Sequence, residues 1–354
     1  MFNSNFLRKM TKRRFNLRNV VKIGVACLAV CMMFVACDKN NGNGDDPNNP
    51  DNPGGNGSGL NAWTKVTSPL SDELECIAFG NGKFVVGSGE NMIAISSDGK
   101  IWTTKKIAEG SGRIVSITYA NGKFVAATTS GKVYYATNPE GDWTMSIDLR
   151  KTLDFNTVRV IYFDGTYYIT GGSDGEMAYS TDLVNWTANE TSVFFTSGER
   201  ICGYAFGNGK LVAVGYRGNI AYTTTPDATW TLISNNPVPV GQEYLSAIVF
   251  ANNTFVAVGS SPTIVYADNP ASTWTKAAIQ GDNTSSPNAV AYGGGIYVAG
   301  GSLSTVLYAT KPGEWKKDSN FSGFSVNGIA FGNNTFVAVG YAGQNGKIAY
   351  ATVK

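Results

Sequence analysis

The sequence predicts an all-β protein, a seven-bladed β-propeller, on three observations. The first is the regular spacing of its seven tryptophans, which are separated by 39 to 44 residues. They are Trp63, Trp102, Trp143, Trp186, Trp230, Trp274 and Trp315. A period of about 40 residues filled with short strands is typical of propellers, in which each repeat is one four-stranded blade.

The second observation is a two-residue step that joins two apolar segments in every repeat. The steps are Asn81–Gly82, Asn121–Gly122, Asp164–Gly165, Asn208–Gly209, Asn252–Asn253, Gly294–Gly295 and Asn333–Asn334. A type I′ hairpin needs positive φ at both central residues, which Gly, Asn and Asp tolerate best. We therefore predict a tight hairpin between the first and second strands of all seven blades. An apolar third strand and a fourth strand that starts at the tryptophan complete each blade.

The third observation is that the two ends of the repeat array are out of phase. The chain stops at Lys354, after the third strand of the last blade, while Trp63 and Thr64 precede the first hairpin. The N-terminal strand is therefore expected to pair into the last blade and close the ring, which removes the exposed edges of an open array.

Residues 1–36 read as a targeting segment, because a basic stretch precedes an apolar run from 20 to 36. The run ends in a sequence that resembles the cleavage box of bacterial lipoproteins, with a small residue, Ala36, before Cys37. We expect a lipoprotein signal peptide over 1–36 and a lipid on Cys37. The run is short for a membrane-spanning helix, so an uncleaved anchor is the less favoured alternative. Translation could start equally well at Met10.

Residues 37–60 are expected to be a disordered tether between this lipid and a propeller over 61–354. Positions 38–59 hold no apolar side chain and are rich in Asn, Gly, Asp and Pro. This arrangement predicts an extracytoplasmic protein of the bacterial cell envelope, at the outer membrane or cell surface in preference to the inner membrane. Asp38 leaves the choice of membrane open, because it resembles an inner-membrane retention signal of some bacteria.

The charge distribution argues against nucleic acid as a partner. Seven of the 28 basic residues fall within 1–36, where there is no acidic one. The remaining chain has 21 basic and 26 acidic side chains, a net charge of −5, which disfavours contact with a phosphate backbone. Cys76 and Cys202 lie on blades 1 and 4, on opposite sides of the ring, so we expect buried free thiols in a monomer.

Two segments, Ser96–Trp102 and Ser180–Trp186, resemble the Asp-box of sialidase-like (BNR) repeat propellers. In that family the Asp-box is a structural turn between the third and fourth strands, in which the Asp accepts backbone N–H groups and does not touch substrate. In four other blades a proline takes this place, at Pro139, Pro226, Pro270 and Pro312. The resemblance covers residues 61–354 and implies the propeller fold of secreted or lipid-anchored bacterial proteins. It does not imply sialidase activity, because the catalytic motifs of that family are not recognisable.

The complete absence of histidine excludes several kinds of active site. It removes Ser-His-Asp triads, imidazole bases and His-ligated metals, and we expect neither a metal nor a cofactor. A glycoside hydrolase or lyase that uses two loop carboxylates stays open as the alternative function. Candidate carboxylates are Glu75, Glu90, Asp148, Asp154, Asp174, Glu176, Glu199 and Glu243.

Long connections on one face of the propeller favour a binding or scaffolding function. The inter-blade connections span 145–157, 188–200, 232–244, 276–287 and 317–325. Loops on a rigid scaffold commonly carry binding, and aromatic residues beside arginine suit sugar or peptide. The candidate ligand-binding residues are Tyr216, Arg217, Tyr244, Arg159, Arg200 and Glu75. We expect a glycan or an envelope or extracellular protein as the ligand; a structural subunit of an envelope assembly would share these features.

The same connections carry other aromatic residues that have two interpretations. These are Phe155, Phe194, Phe195, Phe321 and Phe324. They either contribute to the binding face or cover the ends of the blades as part of the core.

Overall fold

The computed structural model describes residues 59–110, 112–189, 199–238, 243–281 and 285–354. The expected signal peptide, the lipid site Cys37 and most of the tether lie outside the described residues, as do Phe194 and Phe195. In the described part the chain forms seven successive sheets, antiparallel except for one added strand, with one short helix and one 3₁₀ turn. The prediction of a seven-bladed β-propeller is confirmed.

The strands follow the repeat in chain order. The first fifteen are β1 (Thr64–Val66), β2 (Leu74–Gly80), β3 (Lys83–Ser88), β4 (Met92–Ser96), β5 (Thr103–Lys106), β6 (Ile114–Ala120), β7 (Lys123–Thr128), β8 (Lys132–Ala136), β9 (Thr144–Asp148), β10 (Val158–Phe163), β11 (Tyr168–Gly172), β12 (Met177–Ser180), β13 (Thr187–Ala188), β14 (Ile201–Gly207) and β15 (Lys210–Gly215). The others are β16 (Ile220–Thr223), β17 (Thr231–Leu232), β18 (Leu245–Ala251), β19 (Thr254–Gly259), β20 (Thr263–Ala267), β21 (Thr275–Lys276), β22 (Ala278–Gln280), β23 (Pro287–Gly293), β24 (Ile296–Gly301), β25 (Thr305–Ala309), β26 (Glu314–Lys317), β27 (Ser325–Gly332), β28 (Thr335–Ala342) and β29 (Asn345–Thr352). Helix α1 (Leu149–Thr152) follows β9, and the 3₁₀ turn covers Tyr216–Gly218.

The ring is closed as the sequence predicted. Strand β1 pairs antiparallel with β29, with Thr64 opposite Tyr350 and Val66 opposite Ile348, so the start of the described chain supplies the fourth strand of blade 7. Leu60 extends this pairing through a bridge to Val353. The first strand of each blade lies beside the first strands of both neighbouring blades, including β27 beside β2. These seven strands therefore surround a central channel.

The core is divided into layers between blades. Seven clusters of buried apolar side chains occur in the described residues, and each draws on two neighbouring blades. The layer between blades 7 and 1, for example, contains Val337 and Phe84. Because each sheet packs only on its neighbours, the fold buries a large apolar area without a single large core.

Six of the seven hairpin steps have positive φ at both residues, as in Asn208 (50°) and Gly209 (68°). The prediction is wrong for blade 3, where Gly165 has positive φ and Asp164 does not. There the Oδ1 atom of Asp164 accepts hydrogen bonds from the backbone N–H groups of Thr166 (2.8 Å) and Tyr167 (2.7 Å). The backbone N–H of Asp164 also donates to the carbonyl of Tyr167 (3.1 Å), so the two-residue turn is Gly165–Thr166, one residue later than predicted, and the Asp164 side chain stabilises it.

Blade 6 departs from the expected four strands. Part of the long connection before it, β22, adds a fifth strand that pairs in parallel with β26, with Ile279 opposite Trp315. The outer edge of a blade carries unpaired backbone groups, and this connection passes along that edge and pairs with them.

The two segments that resemble Asp-boxes form tight turns held by their own side chains. The Oδ1 atom of Asp182 accepts hydrogen bonds from the N–H groups of Val184 and Asn185, both at 2.8 Å. Asp98 makes the same pair of contacts with Lys100 (2.8 Å) and Ile101 (3.0 Å). These backbone donors lower the pKa of both carboxyl groups. Both motifs therefore act as structural turns.

Candidate functional site

A β-bulge marks the first strand of every blade, next to the end that faces the long connections. In all seven blades the register shifts by one residue there. The residues at the bulges are Glu75, Val115, Arg159, Cys202, Ser246, Asn288 and Asn327. Bulges re-aim side chains and are over-represented beside functional sites. The sequence carries no periodic signal for these bulges, although two of the candidate ligand-binding residues, Glu75 and Arg159, occupy them.

Four of the candidate ligand-binding residues lie near one another on blades 3, 4 and 5, and we name Arg159, Arg200, Tyr216 and Tyr244 the Tyr–Arg cluster. Tyr216 begins the 3₁₀ turn after β15, and Tyr244 lies directly before β18. Their rings stack with centroids 5.6 Å apart and an interplanar angle of 20°. The guanidinium of Arg200 lies 4.7 Å from the centroid of the Tyr216 ring, and its Nη1 atom donates a hydrogen bond of 3.0 Å to the Tyr216 hydroxyl.

Cys202 connects Arg159 to the rest of this cluster. Burial raises the pKa of the Cys202 thiol to about 11, and the positive charges of Arg159 and Arg200 act against that rise. Arg159 and Cys202 occupy the bulges of β10 and β14, which are adjacent first strands of the ring, and Arg200 lies two residues before Cys202. The Nε atom of Arg159 donates to the Ser173 hydroxyl at 3.2 Å. The thiol keeps its proton at neutral pH, so it is not an activated nucleophile.

Tyr244 is half-buried and lies directly before the first strand of blade 5. Burial raises the pKa of its phenol first, and the nearby groups of Tyr216, Cys202 and Tyr341 raise it further. Tyr341 belongs to β28 of blade 7 and is not one of the candidate residues. A phenol with a raised pKa keeps its proton and can donate a hydrogen bond.

Arg217 differs from the other candidate arginines, because a carboxylate already compensates its charge. Its Nη1 atom lies 3.3 Å from Oε1 of Glu199, whose residue is only 7% exposed. Arg217 also has a positive φ of 57°, which turns the backbone between β15 and β16. The structure therefore places Arg217 on the same face but in an ion pair of its own.

Glu75 belongs to a different part of the loop face. It forms an ion pair with Arg113, whose Nη2 atom also lies 3.4 Å from Oε2 of Glu73. These residues line a cavity of about 530 Å³ together with Asp72 and Glu90. This cavity lies at blades 1 and 2, whereas the Tyr–Arg cluster is on blades 3 to 5. The six candidates are thus not one site.

The same cavity is relevant to the glycosidase alternative, since two carboxylates share one guanidinium in it. A glycoside hydrolase needs one carboxyl that holds a proton for the leaving group. Here both carboxylates are already engaged by the Arg113 guanidinium. The arrangement of Glu73, Glu75 and Arg113 is therefore better suited to an ion-pair network than to acid catalysis.

The loop phenylalanines within the described residues are part of the core. Phe155, Phe321 and Phe324 are all 5% exposed or less. Phe321 packs edge-on against Trp63 and Phe324 and thereby covers the end of blade 7. These three side chains cover the blades and are not available to a ligand.

Two further findings concern the described residues only. They contain no group of three or more Cys, Asp or Glu side chains placed to hold a metal ion. None of their helices has the length and apolar character needed to cross a membrane.

The fold and this face define a β-propeller whose long connections lie around one mouth of its channel. The family profile of the DUF6242 beta propeller domain matches residues 124–339, and the chain belongs to this family. A search of the curated proteins found no match.

Several solved structures share the fold. The chain is similar to YCF48 bound to D1 peptide, with 16% identity, a TM-score of 0.65, and coverage of 83% of this chain and 96% of that one. It is also similar to YCF48 from Cyanidioschyzon merolae, with 14% identity, a TM-score of 0.64, and coverage of 82% and 98%. The computationally designed Ika8 protein matches with 14% identity, a TM-score of 0.54, and coverage of 80% and 98%. At these identities the likeness shows the fold alone.

Proposed function

We propose that this chain is a lipid-anchored, extracytoplasmic binding or scaffolding module that holds a protein partner on its loop face. The observation that carries the proposal is the stack of Arg200, Tyr216 and Tyr244 at the point where blades 4 and 5 meet. Aromatic and arginine side chains in a partly buried arrangement are the residues that contribute most at protein interfaces. A propeller of similar fold, YCF48, has been solved with a peptide bound, which is compatible with such a function.

The arrangement of the cluster favours a protein over a glycan. Sugars are commonly held against the open face of an aromatic ring, whereas the Tyr216 ring is engaged by Tyr244 and by the Arg200 guanidinium. The groups left for a ligand are the polar edges of the cluster, which suit the polar groups of a peptide. A glycan ligand is the alternative outcome of the test below.

The test compares partner retention by the full-length chain and by variants of the two faces. Tyr216→Ala and Tyr244→Ala should each weaken retention of a partner from an envelope extract by about fivefold or more, because losing a central interface aromatic commonly costs about 1 kcal/mol or more. The hairpin-face variant Asn208→Ala is the matched control and should retain the partner. If the chain binds a glycan on an array and both loop-face variants lose that binding, the ligand is a glycan and not a protein. Retention that is equal in all variants would refute the proposed face.

The envelope location is part of the proposal and has its own test. It is supported by the basic and apolar leader, by Ala36 before Cys37, and by the polar segment that follows. Cys37→Ser should abolish labelling by a fatty-acid probe and stop processing after Ala36. Unchanged labelling in that variant would refute the lipid anchor.

A further inference from the structure

The arginines of the loop face differ in whether their charge is compensated. Arg113 is paired with Glu73 and Glu75, and Arg217 with Glu199. Arg159 and Arg200 instead contact neutral groups within the described part of the chain, the hydroxyls of Ser173 and Tyr216 respectively. Two positive charges in the Tyr–Arg cluster are thus left without a carboxylate among the described residues.

The positive electrostatic potentials of the Arg159 and Arg200 side chains add to each other. Arg159 is the bulge residue of β10 and Arg200 directly precedes β14, and these adjacent first strands begin at the same mouth of the channel. Both residues are half-buried, whereas the side chains of Arg113 and Arg217 are 54% exposed. Like charges brought together in a partly desolvated position repel each other, and an anion between them relieves the repulsion.

The unused donors of the cluster fit a planar anion. Arg200 uses one Nη1 donor on Tyr216 and Arg159 uses its Nε donor on Ser173, so each guanidinium keeps further N–H groups. The Tyr244 phenol, which keeps its proton, adds a hydroxyl donor nearby. Parallel N–H groups of arginine match the two oxygens of a carboxylate.

We propose that Arg159 and Arg200 together bind a carboxylate from an acidic segment of the protein partner. This inference rests on the proposed function and specifies the chemistry of the ligand. The stack of Tyr216 and Tyr244 holds the Arg200 guanidinium in place, so the aromatic residues position the charge and the arginines select the anion. Arg217, although adjacent in sequence to Tyr216, takes no part because Glu199 already occupies it.

Fluorescence anisotropy with three labelled peptides tests this inference on the full-length chain. The probes are a short peptide of alternating Glu and Gly, its Gln counterpart and its Lys counterpart. The Glu peptide should bind at least about tenfold more tightly than either of the others, and its binding should weaken as salt is added. Arg159→Gln and Arg200→Gln should each weaken it by about tenfold. Arg200→Lys, which keeps the charge but not the planar fork, should retain part of the affinity.

Arg150→Gln is the matched control, because it removes the same charge from the same face. Arg150 donates to the backbone carbonyls of Thr129 and Asn156 and lies outside the Tyr–Arg cluster. It should leave the affinity for the Glu peptide within about twofold. Equal binding of the Glu and Gln peptides, or an equal loss in Arg150→Gln, would overturn the inference. So would displacement of the peptide by inorganic phosphate at lower concentration than by glutamate.

The proposed function can fail independently of this inference. If the envelope partner is lost from Tyr244→Ala but retained by a double Arg159→Gln, Arg200→Gln variant, the loop face binds a partner without selecting a carboxylate. If neither variant loses the partner, both proposals are wrong. Melting temperatures of all variants, measured alongside, separate a loss of binding from a loss of folding.

Discussion

Replacing Trp63 with Ala tests whether the N-terminal strand holds the ring closed. Trp63 is 9% exposed, and its ring packs edge-on against Phe321 with centroids 5.3 Å apart. It shares the layer between blades 6 and 7 with Leu60, on the same short segment. These two buried side chains therefore attach the closing segment to the layer between blades 6 and 7, and Val66 of β1 packs against the layer between blades 7 and 1.

The expected loss follows from burial and from the size of the domain. Truncating a buried Trp to Ala commonly costs about 3–5 kcal/mol. The unfolding entropy of a domain of about 300 residues is about 0.6 kcal/mol per kelvin, so the melting temperature should fall by about 5–8 °C. Trp63→Phe should cost less, because the buried indole N–H of Trp63 makes no hydrogen bond and its removal frees the fold of an unsatisfied donor.

Differential scanning calorimetry measures the loss, and limited proteolysis shows where the ring opens. Trp274 is the matched control, since it is 1% exposed and occupies the same repeat position in blade 5, where all four strands are consecutive in sequence. Trp274→Ala should lower the melting temperature without faster cleavage near residue 60. A melting temperature unchanged in Trp63→Ala, or in a chain that starts at residue 70, would refute the role of the closing strand.

Two further predictions concern turns. Backbone N–H groups lower the pKa of Asp182, so its charged form stabilises the fold; this contribution is complete above the pKa of an unfolded Asp, about 4, and declines as the pH falls further. The difference in melting temperature between wild type and Asp182→Asn should therefore be present at pH 7 and shrink below about pH 4, and a difference that is constant with pH would contradict this cause. Gly209 has a φ of 68° and no atom near the position of an added Cβ, so Gly209→Ala should lose about 1 kcal/mol in urea unfolding through backbone strain alone, with peptide binding unchanged. Loss of binding in this variant would place the ligand on the hairpin face.

Much of the fold could be predicted because the repeat fixes it locally and many times over. The spacing of the tryptophans and the Asn and Gly steps recur in every blade, so an irregular blade does not hide the pattern. The failures are at sites where a contact competes with the pattern. Asp164 has the residue type of a tight turn, but it ends the strand, and its carboxylate accepts the N–H groups of Thr166 and Tyr167, so the turn lies one residue later at Gly165–Thr166. The pairing of β22 with β26 joins segments far apart in sequence and leaves no periodic signal.

The candidate site was predictable in position but not in its electrostatics. Tyr216 and Tyr244 could be expected together, because consecutive blades are neighbours in a propeller. Side-chain distances of a few ångströms decide whether an arginine is paired with a carboxylate. Arg217 contacts Glu199 and Arg159 contacts Ser173, and no feature of the sequence distinguishes these two arginines. The bulges that carry Glu75 and Arg159 are one-residue shifts against the partner strand, which only the register shows.

The closing pair of β1 and β29 also determines how the propeller responds to mechanical force. Every other strand continues into the next through the backbone, but at this pair the ring is held by side-chain packing and by three registered residue pairs. Residues 1–58 join the propeller at Gly59, so tension in them first reaches the hydrogen bond from the Lys354 N–H to the Gly59 carbonyl and then the Leu60–Val353 bridge. Gly59 and Leu60 would detach first and β1 with Trp63 next, and the remaining strands of blade 7 would stay paired. A pull on the N-terminus is therefore expected to open the ring at this pair in short steps before any blade unfolds.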